Sequence, residues 1–200
     1  MQDDCPFTDT KNIVACTAFL YGVAVTSPYN FILLSLPYIQ GQMPDYPITF
    51  VATFAVNGVM VFVVFICLAL PNMLSHAIKI NLSLFFSGLL TLLLPLTAEA
   101  ISGQAARFWV AICLMLLTGV GMGLALAQTL SYMSSMPERY MALNSMGIGF
   151  SGLISLILYG ILLECFKDDD HAFALNIIFY SMNFVLMTGI ASMYFIESRS

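Results

Sequence analysis

All seventeen charged side chains of this 200-residue chain fall outside six long apolar stretches, 13–37, 48–70, 80–98, 108–133, 141–163 and 172–196. The stretches run 19 to 26 residues and contain no Asp, Glu, Lys, Arg or His. About 20 apolar residues in a helix cover the hydrocarbon core of a bilayer. Within lipid the backbone must satisfy its own hydrogen bonds, so each stretch is expected to span as a helix. The pattern predicts a multi-pass, all-α membrane protein with six transmembrane helices.

Composition closes the soluble alternatives. Only 8% of the residues are charged and 60% are hydrophobic, against roughly 25% charged in soluble domains. Eleven acidic residues against six basic ones give no footprint for nucleic acid. Twelve mostly polar residues, with three aspartates among them, precede the first stretch, which is too long for the apolar region of a cleaved signal. The connections are short, so no soluble domain is expected between spans. Lys11, Lys79, Arg139 and Arg199 fall on one side and Arg107 and Lys167 on the other. That bias predicts both termini in the cytosol.

Cysteines and acids give no metal signal. Cys16, Cys67 and Cys113 lie within spans, Cys165 at a span end and Cys5 in the tail, with no CxxC pair. Asp168-Asp169-Asp170 is a solvated loop that stops a span. No cofactor and no metal is expected.

Two apparent catalytic motifs need weighing. Gly147-Ile148-Gly149-Phe150-Ser151-Gly152 matches GxGxxG, but a dinucleotide fingerprint requires a strand before it, and this one lies inside a span. Gly149-Phe150-Ser151-Gly152 resembles the GxSG of rhomboid intramembrane proteases, which pair a serine with a histidine. The next histidine, His171, begins the last span, so it is expected roughly 20 Å or more in depth from Ser151. A nucleophile needs its base within hydrogen-bond reach. The expectation is therefore that the protein is not an enzyme, with a rhomboid-like protease as the third reading.

Small residues recur at four-residue spacing: Gly119, Gly123 and Ala127 on the fourth span, Gly147, Ser151 and Ser155 on the fifth. Such faces let membrane helices approach closely. No convincing internal repeat is visible. Six amides, Asn30, Asn57, Gln128, Asn144, Asn176 and Asn183, sit within or at the ends of spans. An intramembrane amide must find a partner, either another helix or a polar cavity. Several together suit a pocket for a neutral polar solute.

At these residues the sequence resembles the equilibrative nucleoside transporters. Gly22…Ser27-Pro28-Tyr29-Asn30-Phe31…Pro37-Tyr38 is similar to that family's first helix, with Tyr29 where the family has tryptophan. Asn57-Gly58-Val59-Met60 resembles its Asn-Asn-Val-Met, and Lys79 stands where it often has arginine. Gln128, Pro137 and Gly147-x-Gly149-x-x-Gly152 follow the glutamine, proline loop and glycine motif of its fourth and fifth helices. From Gln128 to Pro137 the chain is about two residues short, which makes Leu126 the alternative register. The resemblance covers the first six of the family's eleven helices, and the later Asp and Arg that bind the sugar have no counterpart.

The resemblance implies one six-helix bundle of a major-facilitator-like transporter, carrying nucleosides or nucleobases by alternating access. Tyr29 would stack on the base, Gln128 would bond its edge, and Asn30, Asn57 and Met60 would line or support the pocket. Gly147, Gly149 and Gly152 would hold the fourth and fifth helices together, with Gly119 and Gly123 at a close seam. The expected partners are the nucleoside or nucleobase substrate, the lipid bilayer, and a missing C-terminal half or a second copy. The expected location is the plasma membrane. The alternative is a homodimeric six-span half-transporter or channel for another small neutral solute.

Overall fold

A computed structural model describes residues 12–69, 76–165, 177, 180, 181 and 183–191. Among them run five long α-helices: α1 (Ile13–Gln42), α2 (Ile48–Ala69), α3 (His76–Ala100), α4 (Gln104–Met133) and α5 (Glu138–Cys165). All five are long and apolar enough to cross a membrane. This is an integral, multi-pass, all-helical membrane protein. Of the sixth expected span, residues 177, 180, 181 and 183–191 are described and are helical. Its remainder, with Asn176, His171, Lys167 and the Asp168–Asp170 run, lies outside the described residues, as do Lys11, Cys5 and Arg199.

The helices outrun the apolar stretches. Hydropathy marks the hydrocarbon slab, whereas the helical backbone continues into the interface, so α1 extends to Gln42 and α4 begins at Gln104. Side chains then close the turns. Gln40 Nε2 donates to the Tyr46 carbonyl at 2.8 Å, and Thr49 Oγ1 lies 3.3 Å from Gln40 Oε1, pinning the Pro44–Pro47 turn between α1 and α2. Gly103, at φ 109°, takes the left-handed conformation that a residue with a Cβ resists, and it turns the chain into α4. The α4–α5 turn carries Ser134 and Ser135, each bonding a carbonyl three residues back.

Tyr29 and Asn57 hydrogen-bond at equal sequence distance from Met43 in the turn, so α1 and α2 are antiparallel. α5 packs on α1 and α2 packs on α4 as close pairs, while α3 packs on α4. Gly22 of α1 abuts the Asn144 carbonyl of α5, and Gly147 abuts the Phe19 carbonyl. Residue numbers rise together from Asn12–Arg139 (2.7 Å), where both helices begin, through Ala18–Asn144 to Asn30–Ser151, so α1 and α5 run parallel.

The second close pair repeats the first. On α1, Gly22 meets Asn144 and, four residues on, Thr26 meets the Ile148 carbonyl and Ser151. On α4, Gly119 meets Val56 and, four residues on, Gly123 meets the Met60 carbonyl and Val63 of α2. The steps agree on the partner helices as well: 144, 148 and 151 on α5 against 56, 60 and 63 on α2. Between these positions Ala24 of α1 meets Gly189, as Gly121 of α4 meets Ser87 of α3. α1 and α4 point in opposite directions, so the two pairs correspond when α1 is exchanged with α4 and α5 with α2, the relation that inverted repeats have in membrane transporters. The correspondence lies in contact positions whose side chains differ.

Burial follows the same plan. α1 and α4 are largely buried, whereas α2 and α5 keep most of their surface outward. Phe50, Phe54, Phe62 and Phe65 of α2 and Leu153, Leu156, Ile157 and Ile161 of α5 are exposed. Such a surface suits lipid or a further packed partner and not water. The core runs through Tyr21, Phe31, Ile32, Met115 and Met122 between them.

Candidate functional site

Polar residues gather at mid-depth of α1. Thr26, Ser27, Pro28, Tyr29 and Asn30 are consecutive, and Pro28 lies inside the helix. Proline has no N–H to give the carbonyl four residues back, a gap that membrane helices tolerate where neighbours re-satisfy the backbone. Ser27 turns its hydroxyl onto the Val23 carbonyl (2.6 Å). Tyr29 is sixteen residues into α1, or about 24 Å along a helix of about 45 Å.

From this point α1 reaches two neighbours. Towards α2, Asn57 Nδ2 donates to Tyr29 Oη at 2.8 Å. Towards α5, Asn30 Nδ2 donates to Ser151 Oγ at 2.6 Å, and Ser151 Oγ lies 2.6 Å from Thr26 Oγ1. Gly152 leaves room beside Asn30, since a Cβ there would stand 3.8 Å from Asn30 Oδ1. Tyr29, Asn30 and Asn57 are half-buried, and Ser151 is buried. Met60, one turn beyond Asn57, is half-buried and packs on the core.

Gln128 is elsewhere. It is buried at 6% exposure and next to Thr129, whose Oγ1 lies 3.3 Å from Tyr21 Oη. That sets Gln128 at the level of Tyr21, about 12 Å along α1 from Tyr29. The structure therefore brings Tyr29, Asn30 and Asn57 to one level and leaves Gln128 nearer the end of the bundle where α1 begins.

The glycines also sort differently from the expectation. Gly147 and Gly152 sit against α1, not α4, because α5 pairs with α1. Gly149 is exposed, and a Cβ on it would meet nothing within 4 Å. The idea that these three hold α4 to α5 is corrected accordingly. Gly119 and Gly123 do form a close seam, with α2: a Cβ on either would lie 2.8 Å from a carbonyl oxygen. Of the remaining amides, Asn144 donates to the Ala18 carbonyl (3.1 Å), and Asn183 lies against Gly88 of α3. These two act as helix-to-helix fasteners.

Ser151, the serine of the rhomboid-like motif, is held by a hydroxyl and an amide, neither of which can take its proton. His171 is outside the described residues.

Two features escaped the sequence reading. Thr26 was passed over, although it opens the polar run that ends at Asn30. Thr49, Thr53 and Asn57 recur at four-residue spacing and line one side of a groove of about 830 Å³ on α2, with Phe50, Phe54, Gly58 and Val61. The spacing was visible in the sequence, but threonine is too common in membrane spans to stand out. Thr53 donates to the Thr49 carbonyl (3.0 Å), so the stripe presents methyl groups and lone pairs. No protein-family model matches the chain, and a search of curated proteins returns no match.

Proposed function

We propose that the chain is one six-helix bundle of a major-facilitator-like transporter that carries nucleosides or nucleobases by alternating access. The observation that carries this reading is the group Tyr29, Asn30 and Asn57. These are uncharged hydrogen-bonding side chains at mid-depth, on helices whose contacts are spaced as an inverted repeat would space them. Neutral polar groups at the midplane between repeats are where transporters of this architecture hold substrate. The motifs shared with the equilibrative nucleoside transporters narrow the solute to a base or nucleoside. A second bundle, from further sequence or from a second copy, would close the other side of the cavity. The bundle would sit in the plasma membrane with its termini cytosolic, placing 42–45 and 168–170 outside.

The test is uptake of labelled adenosine, inosine and hypoxanthine by liposomes holding the full gene product, beside liposomes holding residues 1–200 alone. Saturable flux from the full product supports the reading, and none overturns it. Saturable flux from residues 1–200 alone selects the homodimeric alternative. Gln128→Ala should change uptake less than Tyr29→Ala or Asn57→Ala, since Gln128 lies at another depth. Glycosylation acceptors inserted at 42–45 and 168–170 should be modified, and unmodified acceptors would reverse the orientation.

A further inference from the structure

We infer that Tyr29 and Asn57 form a two-pronged fork that grips a ligand edge bearing one acceptor beside one donor, the edge of an oxo- or aminopurine. The inference takes its setting from the transport reading. Its chemistry comes from the pair itself.

Among the described residues, the 2.8 Å bond between Asn57 Nδ2 and Tyr29 Oη is the only polar contact of either side chain. A phenol carries one proton and free lone pairs, and a primary amide carries donors at nitrogen and acceptors at oxygen. Once Asn57 donates to Tyr29, the phenolic proton and the amide oxygen remain unused. With the amide turned end for end, the amide N–H and a phenolic lone pair remain instead. In both orientations the pair presents one donor and one acceptor side by side.

At mid-depth in a bilayer such groups need a polar counterpart. Asn57 opens into the groove on α2, which is roomy and walled largely by carbon. Phe54 exposes 76% of its surface there, and Gly58 adds no side chain beside that ring. A flat ring can lie on Phe54 while its edge meets the fork. An amide-type edge, C=O beside N–H, satisfies both prongs, as does an amidine edge, ring N beside NH2. The usual expectation for a nucleoside carrier of this sequence pattern would assign base recognition to Gln128. Here the amide that reads the base comes from α2, with a tyrosine hydroxyl in place of an indole.

Equilibrium binding to the purified full gene product tests the fork without relying on flux. The probes are inosine and purine riboside, which lacks the 6-oxygen and the N1 proton of inosine. Each neutral hydrogen bond is worth roughly two- to tenfold in affinity, so wild type should prefer inosine by about fourfold to a hundredfold. Tyr29→Phe and Asn57→Leu should each cut that preference by about two- to tenfold, by weakening inosine and sparing purine riboside. Thermal melts identify any variant that fails to fold, and either one alone carries the test.

An unchanged preference in a folded variant overturns the fork and leaves transport standing wherever wild-type flux is found. The expected preference without flux keeps the fork and removes the transport reading. Binding of neither nucleoside overturns both.

Discussion

The seam between α1 and α5 and the seam between α4 and α2 share one backbone geometry and differ in chemistry. In both, a glycine is followed four residues later by a second close approach, against positions spaced identically on the partner. In the first seam that approach is Thr26 on Ser151, with Asn30 joining from the next turn. In the second it is Gly123 on Val63, with no polar side chain at either position. Close backbone approach is common to both pairs, and in the first the side chains of Thr26, Asn30 and Ser151 add a specific register. Mid-depth chemistry is concentrated on the hydrogen-bonded side, and the glycine-lined side is left to packing.

Substitution can break this comparison, beginning with the backbone. Gly22→Val places carbon against the Asn144 carbonyl, an atom of the main chain that cannot rotate away. Overpacking usually costs about 1–3 kcal/mol, and with backbone on the far side the upper end or beyond is expected. The readout is loss of the folded, detergent-extracted species. Gly119→Ala tests the other seam, where the added Cβ would meet the Val56 carbonyl at 2.8 Å and Val59 at 3.4 Å. A loss of about 1–3 kcal/mol is expected there, smaller than at Gly22 because the methyl is smaller and the approach longer. If Gly119→Ala destabilises more than Gly22→Val, the ranking of the seams is wrong.

A third change addresses the polar side alone. Ser151→Ala removes the partner of both Thr26 and Asn30. Hydrogen bonds between membrane helices average about 0.6 kcal/mol and reach about 1.7, so a loss of about 1–2 kcal/mol is expected in a denaturant titration. Val63→Ser, at the equivalent place on α2, should gain nothing, because Gly123 has no hydroxyl to receive it. The smallest effect is reserved for Gly149→Ala. Its Cβ meets open space, and the melting curve should move by no more than about 0.5 kcal/mol.

Much of the fold was legible from residue order. The first two helices begin at Ile13 and Ile48, where charge and proline give way to unbroken apolar sequence. Helix ends were less visible, because residues such as Gln40 and Gln104 belong to interfacial turns that hydropathy scores as loop. Pairing was not legible at all. The Gly147–Ser151–Ser155 face announces a close neighbour without naming it, and α1 proved to be that neighbour. The matching spacing of the two seams escaped for a similar reason: corresponding positions hold Thr26 and Gly123, or Ser151 and Val63, so no residue identity marks the match. Within the site, Tyr29, Asn30 and Asn57 were found because amides and aromatics in a span are conspicuous. Gln128 was grouped with them by its motif, although its place near the end of the fourth span already set it at another depth from Tyr29.

The distance in sequence between Asn30 and Ser151 also sets a timetable for synthesis. At roughly 5–20 residues per second, the 121 residues separating them take the ribosome roughly 6–24 s. α2 meets α4 sooner, roughly 3–13 s after Val56 by the same rate. During the longer wait α1, the least apolar of the five helices, stands in or beside the bilayer with its amide and hydroxyl unmatched. A nascent chain halted before α5 should therefore hold α1 loosely and be extracted more readily than one halted after it. A partner made late secures the first helix inserted.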